Sequence, residues 1–272
     1  MRLDLHIHTT ASDGAWAPEA VVRGAGAGGL DVIAIADHDT IGAFAAASEV
    51  GRKIDVQVLP ALEVSSTYRG TDIHVLGYFV DPDAPALAAH TQRAGRRRHE
   101  RMLEMLERLR RQGILLTYAA VENAAGPAHA VIGRPHLAKA LVAAGHATSV
   151  PDAFDRLIGD GHAAFVPTEL LDPVGAVDVV KSAGGIPVWA HPPGDLMDQL
   201  LPQLTRAGLR GLEVWRPRNH RTDVVRYEGI CGTAGLLMSG GSDWHSPDGG
   251  TALGDFFVTG DEVEPLLAAG GM

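Results

Sequence analysis

Short apolar segments that end in histidine, aspartate or glutamate recur along this chain of 272 residues. Their alternating or continuously apolar patterns predict strands. The predicted strands cover residues 2–8, 31–36, 56–62, 71–79, 185–190, 211–215 and 236–239. Helical spacing, with proline or glycine at the boundaries, separates most of these strands. Repeated strand–helix units build a parallel sheet or a barrel, so we expect an α/β fold.

The predicted helices fall into two sets. Five alternate with the strands, at residues 18–29, 40–53, 173–183, 196–207 and 221–234. Four follow one another without an intervening strand, at residues 90–112, 117–123, 134–144 and 150–158. We therefore predict a barrel of residues 1–83 and 162–272 and a helical insertion at 84–161 that caps it. In the alternative interpretation, these four helices belong to the outer layer of the barrel.

Composition and charge exclude several classes of protein. The formal net charge of −10 and the aromatic content of 5% argue against a chain that coats nucleic acid, so we predict no binding of duplex DNA. Cys231 is the only cysteine, which rules out an intrachain disulfide and a thiolate metal cluster. No apolar segment approaches the roughly 20 residues of a membrane-spanning helix. With no secretory signal at its start, the chain is predicted to be cytoplasmic and not to bind membranes; its oligomeric state is not predicted.

The first predicted strand carries two candidate metal ligands. His6 and His8 are two residues apart, so they point to the same side of a strand and can reach one ion. Alone, such a pair would more often be two exposed histidines. Asp13 follows in a Ser-Asp-Gly turn, which would bring its carboxylate back to the end of the strand.

Later strands end in similar residues. Asp37, His38 and Asp39 follow a buried strand, where charged groups need partners or a metal. His38 is a predicted ligand, whereas Asp39 could instead cap the next helix. Glu63 ends an apolar strand, and its two oxygens can bridge two metals. His74 lies within a strand and alone would more often be a core histidine.

The remaining candidates are His191, Asp243 and His245, again at strand ends. Nitrogen and oxygen ligands without thiolate suit Zn, Mn or Fe. The set exceeds what one ion needs and predicts two or three divalent ions. Clustered ions polarise a phosphate ester and activate water, so the combination predicts a metal-dependent phosphoesterase.

The chain resembles the polymerase and histidinol phosphatase (PHP) family. The matching segments are Leu-His6-Ile-His8-Thr with Ser-Asp13-Gly, Ala-Asp37-His38-Asp39-Thr, Leu-Glu63-Val-Ser, Ile-His74-Val-Leu-Gly-Tyr, Ala-His191-Pro and Gly-Ser-Asp243-Trp-His245. The resemblance implies a distorted TIM-like barrel of about seven β/α units with a helical insertion. It also implies three metal positions. His6, His8, Glu63 and Asp243 would form the first, Glu63, His74 and His191 the second, and Asp13, His38 and His245 the third.

Within the family, the chain is similar to a subgroup that acts on nucleotides. That subgroup includes a 3′,5′-nucleotide bisphosphate phosphatase and a 5′-to-3′ exoribonuclease. The segments that carry this likeness are Tyr68-Arg-Gly-Thr-Asp-Ile-His-Val-Leu-Gly-Tyr, Arg96-Arg-Arg-His-Glu-Arg-Met102 and Gly133-Arg-Pro-His136. The likeness implies that seven residues contact the substrate, two of which, Asp13 and His245, are also metal ligands. The seven are Asp13, Arg98, His99, Arg101, Arg134, His136 and His245. Arginine suits phosphate because it can bind it through two N–H groups.

These features predict a reaction. A metal-bound hydroxide would attack the 3′-phosphate of a 3′,5′-nucleotide bisphosphate, with Asp13, Glu63 and His245 as catalytic residues. Asp37 and Asp39 would orient ligand histidines, and Asp37 could also carry a proton. The alternatives are a 5′-to-3′ exoribonuclease acting on short RNA, a phosphatase of a non-nucleotide such as histidinol phosphate, a nonenzymatic metal-binding module and a nucleic-acid-binding protein.

Overall fold

The computed structural model describes residues 1–126, 131–217 and 219–272. In this part of the chain, eight strands form one sheet in the order β7-β6-β5-β4-β3-β2-β1-β8. The strands are β1 Arg2–Ile7, β2 Val32–Ile35, β3 Gln57–Tyr68, β4 Thr71–Tyr78, β5 Ile186–Trp189, β6 Gly211–Trp215, β7 Leu237–Gly240 and β8 Val258–Thr259. The strands predicted from the sequence correspond to β1–β7, while β8 was not predicted because it is only two residues long.

Helices cover the sheet and fill the middle of the chain. They are α1 Pro18–Ala27, α2 Phe44–Ile54, α3 Pro85–Arg111, α4 Tyr118–Ala125, α5 Arg134–Ala143, α6 Val150–Ala153, α7 Pro173–Ser182, α8 Met197–Ala207, α9 Arg221–Ala234 and α10 Glu264–Ala269. Proline occupies the first turn of several of them, where its missing N–H costs no hydrogen bond. The side chain of Asp172 caps α7 by accepting a hydrogen bond from the backbone N–H of Gly175.

The sheet curves into a nearly closed barrel. After β7, the backbone N–H of Asp243 donates to His6 O at 2.8 Å, and the N–H of His8 donates to Trp244 O at 2.9 Å. Gly241 allows this close approach, since a Cβ there would lie 2.4 Å from both the Cβ and the backbone nitrogen of His6. The predicted α/β, TIM-like barrel is therefore confirmed, with its two ends joined beside the first candidate ligands.

One prediction about the strands was wrong. The sequence analysis ended the third strand at Glu63, but β3 continues to Tyr68 and forms an antiparallel hairpin with β4. Arg69 and Gly70 both have positive φ, at 50° and 85°, as a two-residue hairpin turn requires. The polar residues after Glu63 continue the strand because they find hydrogen-bond partners within the hairpin. The Ser66 hydroxyl, for example, donates to Ile73 O at 2.6 Å.

The helix after β2 also differs from its prediction. It begins at Phe44 rather than at residue 40, and its N-cap position is Ala43. Asp39 has a left-handed φ of 59° and its carboxylate bonds elsewhere, so it does not cap this helix.

Helices α3 to α6 share an apolar core that is separate from the core of the sheet. It includes Met105, Leu109, Leu137, Leu141 and Ile158, all of them fully buried. The described residues between β4 and β5 form no further strand of the sheet. This core extends to Val166, beyond the predicted insertion. The boundaries at 84 and 161, and the role of a cap, remain predictions.

No helix among the described residues is both long and apolar enough to cross a membrane.

Candidate metal centre

The carboxyl ends of the strands meet at one end of the barrel. All nine predicted ligands converge there: His6, His8, Asp13, His38, Glu63, His74, His191, Asp243 and His245. Parallel neighbours such as β1 and β2 deliver their ends to the same rim, which explains the convergence of residues distant in sequence. His6 and His8 are fully buried, so the alternative of exposed strand histidines is wrong.

Glu63 lies at the centre of this cluster and is fully buried. Its Oε1 is 3.1 Å from His74 Nδ1 and 2.9 Å from His191 Nε2. Its Oε2 is 2.9 Å from His38 Nδ1 and 3.5 Å from His8 Nε2. One carboxylate therefore faces histidines on both of its oxygens, which is the arrangement of a group that bridges two ions.

A second group surrounds Asp243. Its Oδ1 is 3.3 Å from His8 Nε2 and 3.5 Å from His6 Nε2. The Nε2 atoms of His6 and His8 are 3.1 Å apart. Three potential ligand atoms thus face one point, close to Oε2 of Glu63.

The third group surrounds Asp13. Its Oδ1 is 3.4 Å from His245 Nε2 and 3.7 Å from His8 Nδ1, and its Oδ2 is 3.7 Å from His38 Nε2. The rings of His8 and His245 stack with their centroids 4.0 Å apart. His8 and His38 thus link this group to the other two.

The donor set fits divalent metal ions. His38 Nδ1 and Glu63 Oε2 lie 2.9 Å apart without hydrogen-bond geometry, and both are buried with no hydrogen-bond partner in the described structure. Burial, assisted by the charge of His245, lowers the pKa of His8 to about 3, whereas Asp13 and Asp243 outweigh the effect of burial on His245 and raise its pKa to about 10. His8 is then neutral, the form in which imidazole binds a metal.

Glu213 supports two of these histidines and was missed by the sequence analysis. It lies on β6, fully buried. Its Oε1 is 2.7 Å from His6 Nδ1, and its Oε2 accepts a hydrogen bond from the backbone N–H of His191 at 2.6 Å. The carboxylate thus fixes the ring of His6 so that Nε2 faces the cluster. A charged residue inside the apolar strand Gly211–Trp215 was the available signal.

Among the described residues Asp37 makes no hydrogen bond to a ligand histidine, while its role as a proton carrier stays a prediction. Its carboxylate accepts hydrogen bonds from the Thr9 backbone N–H at 2.8 Å, the Thr9 hydroxyl at 2.6 Å and the Ser12 hydroxyl at 2.6 Å. Burial raises its pKa to about 6. Instead of orienting a ligand histidine, Asp37 holds the loop that carries Asp13. Asp39 also makes no hydrogen bond to a ligand histidine; Ser65, His90 and Arg98 bond to its carboxylate.

A cavity of about 150 Å³ opens beside the Asp13 group. Arg98, Arg101 and Arg134 from the helical segment line it together with Asp72, while their predicted contact with substrate stays a prediction. The Nη2 atoms of Arg101 and Arg134 are 3.4 and 3.5 Å from Oδ2 of Asp72. Arg134 also forms an ion pair with Asp160, and Arg101 Nε donates to Val166 O, so an anion in this cavity would have to compete with these partners.

Two other predicted substrate contacts lie elsewhere. His99 is on an exposed face of α3, where its ring packs edge-on against Tyr118 with centroids 4.5 Å apart. His136 is fully buried, and its Nδ1 accepts a hydrogen bond from the backbone N–H of Gly133 at 2.9 Å, at the start of α5. Neither is among the described residues that line the arginine cavity. The sequence motif indicated the segments correctly but not the direction of these side chains.

A second cavity, of about 280 Å³, lies beside Asp243 and His245. Arg216, Ser242, Trp244, Ser246 and Thr251 line it together with Asp243 and His245. Arg216 Nη2 donates to Asp243 Oδ2 at 3.2 Å. Sequence analysis missed Arg216, which follows β6 directly and so stands at the same rim as the ligands.

Comparison with known proteins identifies the family. The PHP domain family matches residues 4–169. This chain belongs to the PHP family. In agreement with the histidine and carboxylate cluster, it is a metal-dependent phosphoesterase.

Several curated relatives are similar over nearly their full length. A phosphoribosyl 1,2-cyclic phosphate 1,2-diphosphodiesterase of Eggerthella lenta is 35% identical, covering 90% of this chain and 95% of its own. A 5′-3′ exoribonuclease of Haemophilus influenzae is 31% identical, covering 97% of each chain. A 3′,5′-nucleoside bisphosphate phosphatase of Chromobacterium violaceum is 30% identical, covering 93% and 90%.

A solved structure extends the likeness to three dimensions. It is a protein from Bifidobacterium adolescentis assigned as a metal-dependent phosphoesterase, with a TM-score of 0.88 and 33% identity. The match covers 98% of this chain and 95% of that one.

Proposed function

We propose that this PHP phosphoesterase hydrolyses a phosphate monoester of a nucleotide, with the 3′-phosphate of a 3′,5′-nucleotide bisphosphate as its substrate. The observation that carries the proposal is the placement of the metal cluster between two cavities that each contain arginine. A substrate with two phosphates needs one group at the ions and a second cation site nearby. A monophosphate would leave the second site unused.

The arginine cavity is the proposed site of the distal phosphate. Arg101 and Arg134 present guanidinium groups beside Asp13 and His38, and arginine binds phosphate oxygens through paired N–H groups. The Arg216 cavity, with nearly twice the volume, would take the nucleoside. Two of the named relatives act on compounds whose names contain two phosphate groups, which supports this division.

The residues that would hold the ions are those of the three groups described above. His6, His8, Glu63 and Asp243 would hold the first ion, Glu63, His74 and His191 the second, and Asp13, His38 and His245 the third. When bound, the ions would polarise the phosphate and activate water. The set fits Mn, Zn or Fe, since its ligand atoms are nitrogen and oxygen.

The protein itself contributes position and charge. Glu63, shared by two groups, fixes their spacing, and Glu213 fixes the ring of His6. Asp13 and His245 lie between the two cavities, where the scissile phosphate would sit. Arg101 and Arg134 would hold the distal phosphate so that the other one is directed at the cluster. The helical segment would act as a cap that supplies these two cations.

A substrate panel tests the proposal. Protein loaded with Mn²⁺ is given 3′,5′-adenosine bisphosphate, 3′-AMP, 5′-AMP, a short 5′-phosphorylated RNA, phosphoribosyl 1,2-cyclic phosphate and histidinol phosphate. Released phosphate and nucleoside products are then separated by chromatography. We expect the highest kcat/KM for the bisphosphate, with 5′-AMP as its product. His6→Ala is the matched inactive control.

Each other outcome has a definite meaning. Preferred cleavage of RNA, of the cyclic phosphate or of histidinol phosphate would replace the proposed substrate with that one. Equal kcat/KM for 3′-AMP and the bisphosphate would show that the protein has no binding site for the distal phosphate. If metal is demonstrably bound but no compound is hydrolysed, the result would favour a nonenzymatic metal-binding module over the proposed phosphoesterase activity.

A further inference from the structure

Asp39 makes several buried contacts that have no part in the proposed reaction. It follows the candidate ligand His38 and is only 1% exposed. Its Oδ1 accepts hydrogen bonds from the backbone N–H of Ser65 and from His90 Nε2, both at 2.8 Å. Its Oδ2 accepts from Arg98 Nε at 3.0 Å and Nη2 at 2.6 Å. Both oxygens are therefore fully used inside the protein.

The backbone of Asp39 is held as firmly as its side chain. Its N–H donates to Glu63 O at 2.8 Å, and its carbonyl accepts from the Thr91 hydroxyl at 2.8 Å. Its φ of 59° lies in the left-handed region, which a non-glycine residue adopts at a cost. The surrounding bonds offset that cost. Asp39 thus locks the backbone of its neighbour His38 beside the backbone of Glu63.

Three of these partners come from one helix. His90, Thr91 and Arg98 all belong to α3, the long helix of the helical segment. Arg98 Nη2 also donates to the Ser65 hydroxyl at 2.9 Å, which ties the same guanidinium to β3. Arg98 lines the arginine cavity together with Ser65, yet its Nε and Nη2 are already bonded to Asp39 and Ser65. The two-point contact of Arg98 with Asp39 fixes the relative orientation of the two side chains as well as pairing their charges.

We propose that Arg98 is a positioning residue for the metal centre, acting through Asp39 on His38 and Glu63, and not a reader of substrate phosphate. The inference rests on the proposed use of His38 and Glu63 as ligands. It departs from the sequence analysis in the role of Arg98, which was placed among the substrate contacts, whereas Asp39 was expected either to orient a ligand histidine or to cap the next helix. It also makes the helical segment part of the metal site, because α3 bonds both to the segment after β2, at Asp39, and to Ser65 within β3.

The test compares Arg98→Lys with the wild type. Lysine keeps the positive charge but cannot reproduce the two-pronged contact with Asp39 together with the bond to Ser65. Mn²⁺ affinity is measured by calorimetric titration of the apo-protein, and kcat and KM are measured at limiting and saturating Mn²⁺. Supporting contacts to metal ligands are typically worth about 10- to 100-fold in metal affinity. We expect Mn²⁺ to bind about tenfold or more weakly, with kcat reduced at limiting Mn²⁺ and KM unchanged.

Arg108→Lys is the matched control on the same helix. Arg108 bonds to Phe165 O and Glu104, away from both cavities. We expect its Mn²⁺ affinity to equal that of the wild type. If Arg98→Lys does not fold, Thr91→Val provides a milder change, and loss of its single bond to Asp39 O should weaken Mn²⁺ binding by about fivefold.

The outcomes separate this inference from the proposed function. Unchanged Mn²⁺ affinity with a raised KM would overturn it in favour of phosphate reading by Arg98. A lowered melting temperature with unchanged Mn²⁺ affinity, or equal weakening in Arg108→Lys, would overturn it in favour of general support of α3. A wild type that binds no Mn²⁺ would overturn the proposed function and this inference together. If the wild type binds Mn²⁺ but does not hydrolyse nucleotides, only the proposed substrate is contradicted. The comparison of Mn²⁺ affinities would still decide the role of Arg98.

Discussion

The metal cluster and the arginine cavity lie side by side but are built differently. The cluster takes most of its residues from the ends of barrel strands, with Glu63 and His74 inside the β3–β4 hairpin, and all nine predicted ligands meet there. The cavity takes its cations from helices, and of five residues predicted from that segment only Arg98, Arg101 and Arg134 line it. Barrel topology brings strand ends together whatever the details of packing. A helix turns 100° per residue, so neighbours such as Arg98 and His99 face opposite environments.

The largest expected effect lies in the cluster. Glu63→Gln removes the charge that faces five histidines. We expect weaker metal binding and a kcat lower by roughly 10³-fold or more, since metal ions contribute several kcal/mol to phosphoryl transfer. Phosphate release and metal content measured by mass spectrometry check both effects. Glu49→Gln, at an exposed ion pair with Lys53, is the control. A Glu63→Gln variant with wild-type metal content and kcat would end the idea that the cluster is a metal centre.

The next effect belongs to the arginine cavity. Arg134→Ala should raise KM for 3′,5′-adenosine bisphosphate by roughly 10-fold and leave kcat nearly unchanged, because a charge-assisted hydrogen bond is worth about 1.5–3 kcal/mol and Arg134 is partly exposed. KM for 3′-AMP should not change. Arg156→Ala, which breaks a surface pair with Asp152, serves as the control. An unchanged KM for the bisphosphate would show that this cavity does not bind the distal phosphate.

A smaller effect is expected on the other side of the cluster. Arg216→Met removes a cation bonded to Asp243 at a partly exposed position, which we expect to lower kcat/KM by about fivefold. Steady-state kinetics measure the change against Arg226→Met, an exposed arginine on α9. If Arg216→Met reduces kcat/KM more than Arg134→Ala, the assignment of the two cavities to nucleoside and distal phosphate should be reversed.

The smallest effect is predicted for His99. Its ring packs on Tyr118 at the surface, so His99→Ala should change kcat/KM by less than about twofold and stability by less than about 0.5 kcal/mol. Kinetics and thermal denaturation, compared with the wild type, provide the check. A large rise in KM would restore His99 to the substrate site and remove much of the contrast between cluster and cavity.

These differences explain how much the sequence could predict. Strands were recognisable from apolar pattern, and ligands such as His38 and His191 stood directly after them, so fold and cluster followed from local sequence. Glu213 and Arg216 were missed because their roles depend on which neighbours the barrel brings to them. The bond between Arg98 and Asp39 was not foreseen, since no local pattern shows that a buried aspartate 59 residues earlier bonds to it.

The joining of the two ends of the barrel has a consequence for folding. His6 and His8 lie near the start of the chain, while Asp243 and His245 reach them only when the segment after β7 pairs with β1. Bringing such distant residues together carries the loop-closure entropy of most of the chain, which makes this a late contact. A complete set of ligands therefore exists only in the closed barrel. Metal should therefore bind the folded protein rather than guide its folding. Once bound, it should stabilise the contact between β1 and the segment after β7 and slow its opening.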